Sequence, residues 1–381
     1  MKRSLRVRVS GRVGVVGAVT ALVAAGTSLA PALASGVATP KGRVLASNLD
    51  NPRGLSFGAS GVLYVAEAGH GGRLCLGPGP EGSPLCAGLT GAVSRVRHDG
   101  RVIRLVTGLI STADPKGQSA EGPVSVASRH GRVYAVIGES AHGLPPKTPT
   151  SPVLTAARQQ LGRQIRLTGH GRYTPVAPVG DIDYLWSAAH KKLNPQFPDA
   201  NPNAILVVAG GAYVADAGAN TLDWVSSTGK VKVLAYLGVP KGAPVDSVPT
   251  CLAKGPDGAL YIGELLGGYL TAGHARVWRY SHGAARVWKT GFTAVNGCGF
   301  DSRGNFYATE IFAHGLTSGS PVGALVQVAK NGHRSAWGAG QLYAPSGFAS
   351  RGADVYVSNW SVMPARNPGG PTGQIITFDV G

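Results

Sequence analysis

Residues 52–67 read PRGLSFGASGVLYVAE: a short strand, a turn with glycine, and a second strand that ends in Leu-Tyr-Val-Ala-Glu. The same phrase recurs five more times, and its central tyrosine then stands at Tyr134, Tyr213, Tyr261, Tyr307 and Tyr356. A recurring strand unit of this kind indicates a repeat architecture in which each copy packs on its neighbours. The sequence therefore predicts an all-β fold, a six-bladed β-propeller of the NHL/SMP-30-like kind.

Each repeat continues into two further strands, which gives the four-strand unit expected of a propeller blade. The sixth repeat is an exception, because the chain supplies only one more strand, at residues 374–379, before it ends. Residues 42–46, ahead of the first repeat, can supply the missing outer strand. We therefore predict that an N-terminal strand closes the last blade and removes an open sheet edge.

Residues 1–34 have the pattern of a secretory signal peptide: a cationic start, an apolar run over residues 13–25, and small residues that end at Ala34. The alternative, an N-terminal membrane anchor, is disfavoured because the apolar run is shorter than the roughly 20 residues that a span needs. We expect cleavage after Ala34, a secreted or extracellular protein without a transmembrane span, possible association with the cell envelope, and a single propeller domain over residues 35–381.

The chain is basic, with 36 Lys and Arg against 19 Asp and Glu and a net charge of +17. Five of these positive charges lie in the predicted signal peptide, so the mature protein remains basic. Such a surface can hold anionic wall polymers or acidic ligands, or can simply keep the protein soluble. No basic motif interleaved with aromatic residues points to nucleic acid. The expected partner is a small ligand, a wall polymer or a protein, and the chain is expected to be monomeric.

Four cysteines form two kinds of pair. Cys75 and Cys86 flank a loop rich in glycine and proline, whereas Cys251 and Cys298 stand in the first strands of two successive repeats. An even count in an exported protein favours disulfides over free thiols. We predict both bridges, Cys75–Cys86 and Cys251–Cys298. A metal pair is the competing interpretation, but no second pair of ligands has a suitable spacing.

The connections divide between two faces of the propeller. In a four-strand meander, the loops after the second strand and the links to the next blade emerge on the same side, which we call the long-loop face. The long insertions all lie there, and loops on a rigid scaffold commonly carry binding sites. These segments are 68–90, 138–161, 265–273, 311–321 and 361–372, and the links 109–121, 180–201 and 237–248.

Several longer phrases resemble the ScyD/ScyE family of secreted actinobacterial and cyanobacterial proteins. They are residues 49–57, residues 64–69 with the cysteine loop that follows, and the stretch from Gly-Asp-Ile-Asp-Tyr at 180–184 to Ala-Asp-Ala-Gly-Ala-Asn-Thr-Leu at 215–222. The resemblance covers nearly all of the predicted mature chain. It implies an exported six-bladed propeller with no assured activity.

Polar residues recur where the repeated strands begin and end. Those at the end of the second strand are Glu67, Asp216, Glu264, Glu310 and Asn359, and those near the start of the first strand are Asn51, Asn201 and Asn296. One interpretation is a ring of oxygen ligands around the axial channel that holds a hard cation such as Ca²⁺. Propeller lactonases hold a metal ion with Glu, Asn and Asp side chains in this way, and such an ion can activate a water molecule. This interpretation therefore suggests a metal-dependent lactonase or hydrolase. The alternative is that the acids pair with bases such as Arg53 or cap the blade loops.

Three loops of the same face carry a glutamate followed by a histidine. The histidines are His70, His142 and His314, and they follow Glu67, Glu139 and Glu310. A glutamate that orients a histidine can make it a general base. The alternative is that these histidines, in glycine-rich loops, are simply solvated.

Three functions remain open at this point. The first is an exported binding propeller without catalytic activity, the second a Ca²⁺-dependent lactonase or hydrolase. The third is a quinone-dependent sugar dehydrogenase-like protein, because the phrase at residues 52–57 is also similar to that propeller family.

Overall fold

The structure is a computed structural model that describes residues 41–78, 84–144, 151–238, 246–268, 270–363 and 372–380. The described residues form six antiparallel sheets, one for each predicted repeat. The predicted signal peptide at residues 1–34 lies outside the described residues. No helix of the described part of the chain is long and apolar enough to cross a membrane.

The first three blades follow one another along the chain. Blade 1 contains β2 (Pro52–Phe57), β3 (Leu63–Glu67), β5 (Pro84–Val96) and β6 (Val102–Ala113), with β4 (Leu74–Pro78) as an extra strand on β5. Blade 2 contains β7 (Pro123–Arg129), β8 (Arg132–Ile137), β9 (Gln164–Gly169) and β10 (Arg172–Ala177). Blade 3 contains β11 (Pro202–Val208), β12 (Gly211–Asp216), β13 (Thr221–Ser226) and β14 (Val231–Tyr236).

The remaining blades complete the ring. Blade 4 contains β15 (Pro249–Lys254), β16 (Leu260–Glu264), β17 (Ala275–Ser281) and β18 (Ala284–Phe292). Blade 5 contains β19 (Val295–Phe300), β20 (Phe306–Glu310), β21 (Ala324–Val328) and β22 (Arg334–Trp337). Blade 6 contains β23 (Phe348–Arg351), β24 (Asp354–Asn359), β25 (Gly373–Asp379) and β1 (Arg43–Leu49).

The ring closes through both ends of the chain. β1 pairs antiparallel with β25, for example Val44 with Ile376, so the N-terminal strand supplies the outer strand of blade 6. The inner strands β2, β7, β11, β15, β19 and β23 contact one another in a closed circle. The six-bladed propeller and its closing strand are confirmed.

The hydrophobic core is divided among the six interfaces between blades. Small and β-branched residues alternate along each strand, so every blade presents an apolar face to its neighbour. Val93 packs with Ile165 between blades 1 and 2, and Val214 with Val136 between blades 2 and 3. The other interfaces are built in the same way, around residues such as Ile262, Phe306, Phe378 and Val65.

Two helices occupy connections of the long-loop face. α1 (Pro152–Gln160) joins β8 to β9 and begins at Ser151, whose side chain accepts a hydrogen bond from the Leu154 N–H at 3.1 Å. α2 (Val179–Ala189) lies in the link between blades 2 and 3. A single helical turn, Ala141–Gly143, precedes α1, and another, Leu316–Ser318, lies in blade 5.

Both predicted disulfides are confirmed. Cys75–Cys86 joins β4 to β5 inside the blade 1 insertion, and Cys251–Cys298 joins the inner strands β15 and β19 of blades 4 and 5. The second bridge therefore links two blades covalently beside the axis of the ring.

Candidate functional site

The repeated residues at the ends of the second strands fasten each blade internally. The side chains of Glu67, Asp216 and Glu310 accept hydrogen bonds at 2.8 Å from the backbone N–H groups of Asp50, Asn201 and Thr293. Asn359 does the same for Tyr343 at 2.7 Å. Each donor lies just ahead of the inner strand of the same blade. These side chains therefore cap the bend that leads into that strand.

Glu264 performs this function through an ion pair. Its carboxylate accepts hydrogen bonds from Arg276 at 2.5 and 3.0 Å, from the Trp278 indole at 2.9 Å and from the Ser247 hydroxyl at 2.8 Å. Glu67 likewise accepts bonds from Ser94 and, at 2.9 Å, from Arg104. The side chains of both acids are completely buried.

The predicted cation ring is therefore not formed. The four acids, Glu67, Asp216, Glu264 and Glu310, are held inside their own blades, and the part of the chain that the structure describes contains no group of three or more His, Cys, Asp or Glu residues that could hold a metal ion. This donor set does not fit Ca²⁺. The geometry matches the other interpretation, in which the acids cap blade loops, although Arg53 is not their partner.

The predicted asparagines also serve local contacts. The Asn51 amide donates to the carbonyl oxygens of Gly69 at 2.7 Å and Gly117 at 3.0 Å. The amide oxygen of Asn201 accepts a bond from the Glu139 N–H at 2.8 Å, and the Asn296 amide lies 3.2 Å from the Ser346 hydroxyl. Of the three, only Asn201 contacts an acidic residue.

The predicted pairing of each histidine with the glutamate that precedes it is wrong, because His70 and His142 lie beside aspartates instead. His70 lies 2.5 Å from the carboxylate of Asp50, and His142 lies 3.8 Å from that of Asp181 while its ring stacks on Tyr184. Among the described residues, no hydrogen bond joins any of these histidines, including the exposed His314, to the glutamate that precedes it.

The six inner strands line a cavity of about 70 Å³ on the axis of the ring. Its polar lining lies near the strand starts, at the long-loop end, and its apolar lining lies further along the strands. The polar residues are Arg53, Asn203, Thr250, Asn296 and Ser346, and the apolar ones include Leu55, Val126, Ile205, Leu252 and Phe348. None of the described lining residues is acidic.

Arg53 lies at the long-loop end of this cavity, beside Glu121. Glu121 and Asn201 both lie close to Gly138, and Asn201 contacts the Glu139 N–H. We call these four residues, Arg53, Glu121, Glu139 and Asn201, the channel mouth. Arg53 donates to the carbonyl oxygen of Ala120 at 2.5 Å and lies 3.8 Å from Glu121. Its Nε and the Oε2 atom of Glu121 are buried and have no hydrogen-bond partner in the described residues. A Cβ at Gly138 would lie 2.8 Å from the Asn201 amide oxygen and 3.0 Å from Glu121 Oε2, so glycine permits this approach.

Glu139 has the most unusual electrostatics of the mouth. Desolvation, followed by the charges of Glu121, Asp199 and Asp216, raises its pKa to about 8. Its backbone is left-handed, with φ 64°, and its side chain keeps some exposed surface. Desolvation also raises the pKa of Glu121, against the opposing effect of Arg53. At neutral pH Glu139 therefore mostly carries its proton and can donate a hydrogen bond.

More buried acids lie between α2 and blade 3. Desolvation raises the pKa of Asp183 and of Asp223, and the charge of Asp216 raises both further. The charge of Asp223 also raises the pKa of Asp183, whereas hydrogen bonds from Thr221 and Asp183 oppose the rise at Asp223. Desolvation and the charge of Asp216 raise the pKa of Asp199 to about 7. Blades 2 and 3 thus concentrate negative groups in a chain that is otherwise basic.

Glu121 and Glu139 are the functional candidates that the sequence reasoning missed, since Glu139 was considered only as a support for His142. A signal was available. Glu121-Gly122-Pro123 occupies the place that Asn51-Pro52 and Asn201-Pro202 occupy in other blades, ahead of an inner strand. Aligning the repeats on these prolines places Glu121 next to a position that is asparagine in blades 1 and 3, valine in blade 4 and alanine in blade 6.

No protein-family model matches the sequence, and neither does any curated protein. Among solved structures, XC5397 from Xanthomonas campestris, described as a gluconolactonase, is similar with a TM-score of 0.50 and 12% identity over 92% of this chain and 98% of that one. A putative gluconolactonase gives 0.50 and 10% identity over 89% and 92%, respectively. A protein of unknown function from Bacteroides thetaiotaomicron gives 0.51 and 11% over 89% and 72%. The likeness is one of fold. The chain is a six-bladed β-propeller.

Proposed function

We propose that this propeller binds a small, uncharged, polyhydroxylated ligand of the sugar type at the channel mouth. The observation that carries the proposal is the pair of buried, unpartnered atoms Arg53 Nε and Glu121 Oε2. Arg53 lines the long-loop end of the cavity, and Glu121 lies 3.8 Å from it. Buried polar atoms without partners mark a place for water or a ligand. A donor beside an acceptor matches hydroxyl groups, which both give and accept hydrogen bonds.

The charge of the mouth favours a neutral ligand. Arg53 and Glu121 balance each other, and Glu139, with its pKa of about 8, is mostly neutral at pH 7. A charged ligand would add a desolvated charge without a counterion. The cavity of about 70 Å³ has the volume of about two water molecules, so it admits only one hydroxyl-bearing end of the ligand. The remainder would lie on the long-loop face.

Flat aromatic surfaces near the mouth support a sugar ring as the remainder. His142, three residues beyond Glu139, stacks on Tyr184 of α2 at 4.4 Å. Stacked rings offer broad apolar faces with polar edges. Export of the protein, its extracellular location and its place in the ScyD/ScyE family belong to this proposal, in which the protein binds its ligand outside the cell.

Calorimetric titration with a panel of monosaccharides and polyols tests the proposal. The wild type should bind at least one member at one site at pH 6 and bind it more weakly at pH 9, where Glu139 is ionised. Glu121→Gln should weaken binding at both pH values. Glu139→Gln replaces the carboxyl group with an amide that does not ionise, so this variant should bind the ligand equally well at pH 6 and pH 9. Asp99→Asn, in an exposed turn of blade 1, is the control. Absence of binding across the panel at millimolar concentration, or a pH effect that survives in Glu139→Gln, overturns the proposal.

Hydrolysis of a small lactone is the second candidate function, and the raised pKa of Glu139 favours it. Once ionised, Glu139 could take a proton from a water that attacks the lactone carbonyl, while Arg53 stabilises the negative charge that develops on the carbonyl oxygen. When the ring C–O bond breaks, Glu139 returns this proton to the ring oxygen, which leaves as a hydroxyl group, and the product is the hydroxy acid. Hydrolysis of D-glucono-1,5-lactone above the buffer rate should then rise with pH through about 8 and be lost in Glu139→Gln. An equal rate in that variant would exclude this function.

A further inference from the structure

A second site lies on the opposite face of the ring, where the short turns are. A cavity of about 860 Å³ runs between blades 2 and 3, and we call it the arginine groove. One wall is formed by side chains of blade 2. The other is formed by blade 3, with the valines of β11 and β13 and the hydroxyl-bearing residues 226–228 at the end of β13 and in the turn that follows it. The blade 2 residues that matter are Arg129, Arg132, Tyr134, Gln164 and Arg166.

Strand register places these side chains on one surface. Arg129 and Arg132 are directly opposite each other across the turn between β7 and β8, and Tyr134 is opposite Arg166 on β9. Arg132 and Tyr134, like Gln164 and Arg166, are two residues apart and so point to the same side of their strand. That side faces blade 3. The apolar interface around Val136 and Val214 ends there, and the arginines begin.

The face that one blade turns toward the next is normally covered by apolar residues of that neighbour. Here the arginines of blade 2 have no acidic residue opposite them on blade 3 among the described lining residues. The described lining residues include no Asp or Glu, and within the described chain Arg129, Arg132 and Arg166 form no ion pair or side-chain hydrogen bond. Three guanidinium groups along one groove repel one another unless an anion lies between them. The opposite wall at Val207 and Val225 is apolar.

A buried amide provides an independent observation. Gln164 is only 3% exposed, lines the groove, and has an amide oxygen without a hydrogen-bond partner in the described residues. An unsatisfied buried acceptor costs free energy unless a ligand or water donates to it. A hydroxyl group of a bound ligand can donate a hydrogen bond to this amide oxygen.

We propose that the arginine groove binds a small organic polyanion, a molecule with at least two carboxylate or phosphate groups and a hydroxyl group. The planar fork of arginine matches carboxylate and phosphate oxygens. The hydroxyl group donates to the Gln164 amide oxygen, and the carbon skeleton lies against the valine wall. A volume of about 860 Å³ falls in the range of small-molecule sites. This site is separate from the neutral channel mouth.

Calorimetry with citrate, tricarballylate and inorganic pyrophosphate tests the proposal, at an ionic strength of about 0.1 M so that charges more than about 10 Å apart are screened. Citrate and tricarballylate differ only by a hydroxyl group, and pyrophosphate separates phosphate from carboxylate recognition. We expect one site for citrate. Pyrophosphate, which has no alcohol hydroxyl group, shows only whether the arginines also accept phosphate. Arg129→Gln/Arg166→Gln should weaken binding at least about tenfold. The control, Lys254→Gln/Arg286→Gln, removes the same charge from exposed positions of blade 4 and should change affinity by less than about twofold, as expected for distant screened charges.

The hydroxyl contact has its own readout. The wild type should prefer citrate to tricarballylate by about fivefold, and Gln164→Leu should abolish this preference. If the double arginine variant does not fold, as judged by its melting curve, Arg132→Gln at the exposed turn replaces it. The proposal fails if none of the three anions binds, if the blade 4 control weakens binding as much as the groove variant, or if Gln164→Leu retains the preference for citrate.

Discussion

Glu264 and Glu139 are both carboxyl groups on the long-loop side of the ring, and their neighbours give them different roles. Glu264 is fully buried against the guanidinium group of Arg276 and receives four hydrogen bonds. Glu139 is desolvated and has other acids around it, which together raise its pKa to about 8, so its proton is mostly retained at neutral pH. A carboxyl group whose oxygen atoms are all hydrogen-bonded within the blade stabilises the blade. A carboxyl group with a raised pKa and no such partners is available to a ligand.

Replacing Glu264 should therefore destabilise the protein. Glu264→Gln leaves the buried Arg276 without its counterion, and breaking a buried pair in this way costs about 3–5 kcal/mol. Thermal or urea unfolding measures the loss. Asp257→Asn is the control, because it breaks the exposed pair with Arg279, and exposed pairs contribute little. Equal losses in the two variants would show that Glu264 does not fasten blade 4.

Glu139 should make stability depend on pH. Its pKa is about 8 in the folded protein, above the ordinary value of 4.5, so the folded state binds the proton more tightly than the unfolded state. Stability is then lost as pH rises from about 4.5 to about 8. Asp199 and Glu310, each with a pKa raised to about 7, contribute in the same direction.

The urea midpoint at pH 6 and pH 9 measures this dependence. The wild type should be less stable at pH 9, and Glu139→Gln should reduce the difference because glutamine does not ionise. A wild-type midpoint that rises with pH, or a difference that is unchanged in Glu139→Gln, would show that this carboxyl group has an ordinary pKa.

At the scale of strands and loops, covalent bridges differ in what they constrain. Cys251–Cys298 encloses 47 residues and joins two blades, whereas Cys75–Cys86 encloses 11 within one insertion. In the chain-entropy account, the stabilisation grows with loop length, to about 4 kcal/mol for the first and about 3 kcal/mol for the second.

Removing each bridge in turn compares these contributions. Cys251→Ser/Cys298→Ser should lower the melting temperature of the whole domain more than Cys75→Ser/Cys86→Ser does. Proteolysis of the segment at 68–90 should instead accelerate in the second variant. A larger loss of global stability on removing Cys75–Cys86 would contradict this order.

Strands and bridges could be predicted from the sequence because each repeat carries its own local pattern. Tyr64 and its five counterparts mark second strands. Cys251 and Cys298 stand in the inner strands of successive repeats, and Cys75 and Cys86 flank one short loop. α1 and α2 lie in insertions outside that pattern, where no repeat comparison applies. The acids at strand ends look like ligands in the sequence because their backbone partners, such as the Asp50 N–H for Glu67, become known only in the structure. Glu121 and Glu139 become a site only when the ring brings blades 1, 2 and 3 together.

At the scale of the whole molecule, the ring depends on its closing strand. Without β1, the backbone edge of β25 would be open, and open edges pair with other chains. A chain that begins at residue 50 should melt at a lower temperature than one that begins at residue 35, and should form larger species in size-exclusion chromatography. A chain truncated in this way that stays monomeric and equally stable would show that closure is not needed.

The most direct measurement of the central claim is a crystal structure of the protein soaked with the tightest-binding monosaccharide of the panel. The account predicts sugar at the long-loop mouth, with one hydroxyl group within hydrogen-bond distance of both Arg53 Nε and Glu121 Oε2, the two atoms that lack partners. A mouth occupied only by water, with the sugar bound elsewhere on the ring, would contradict it.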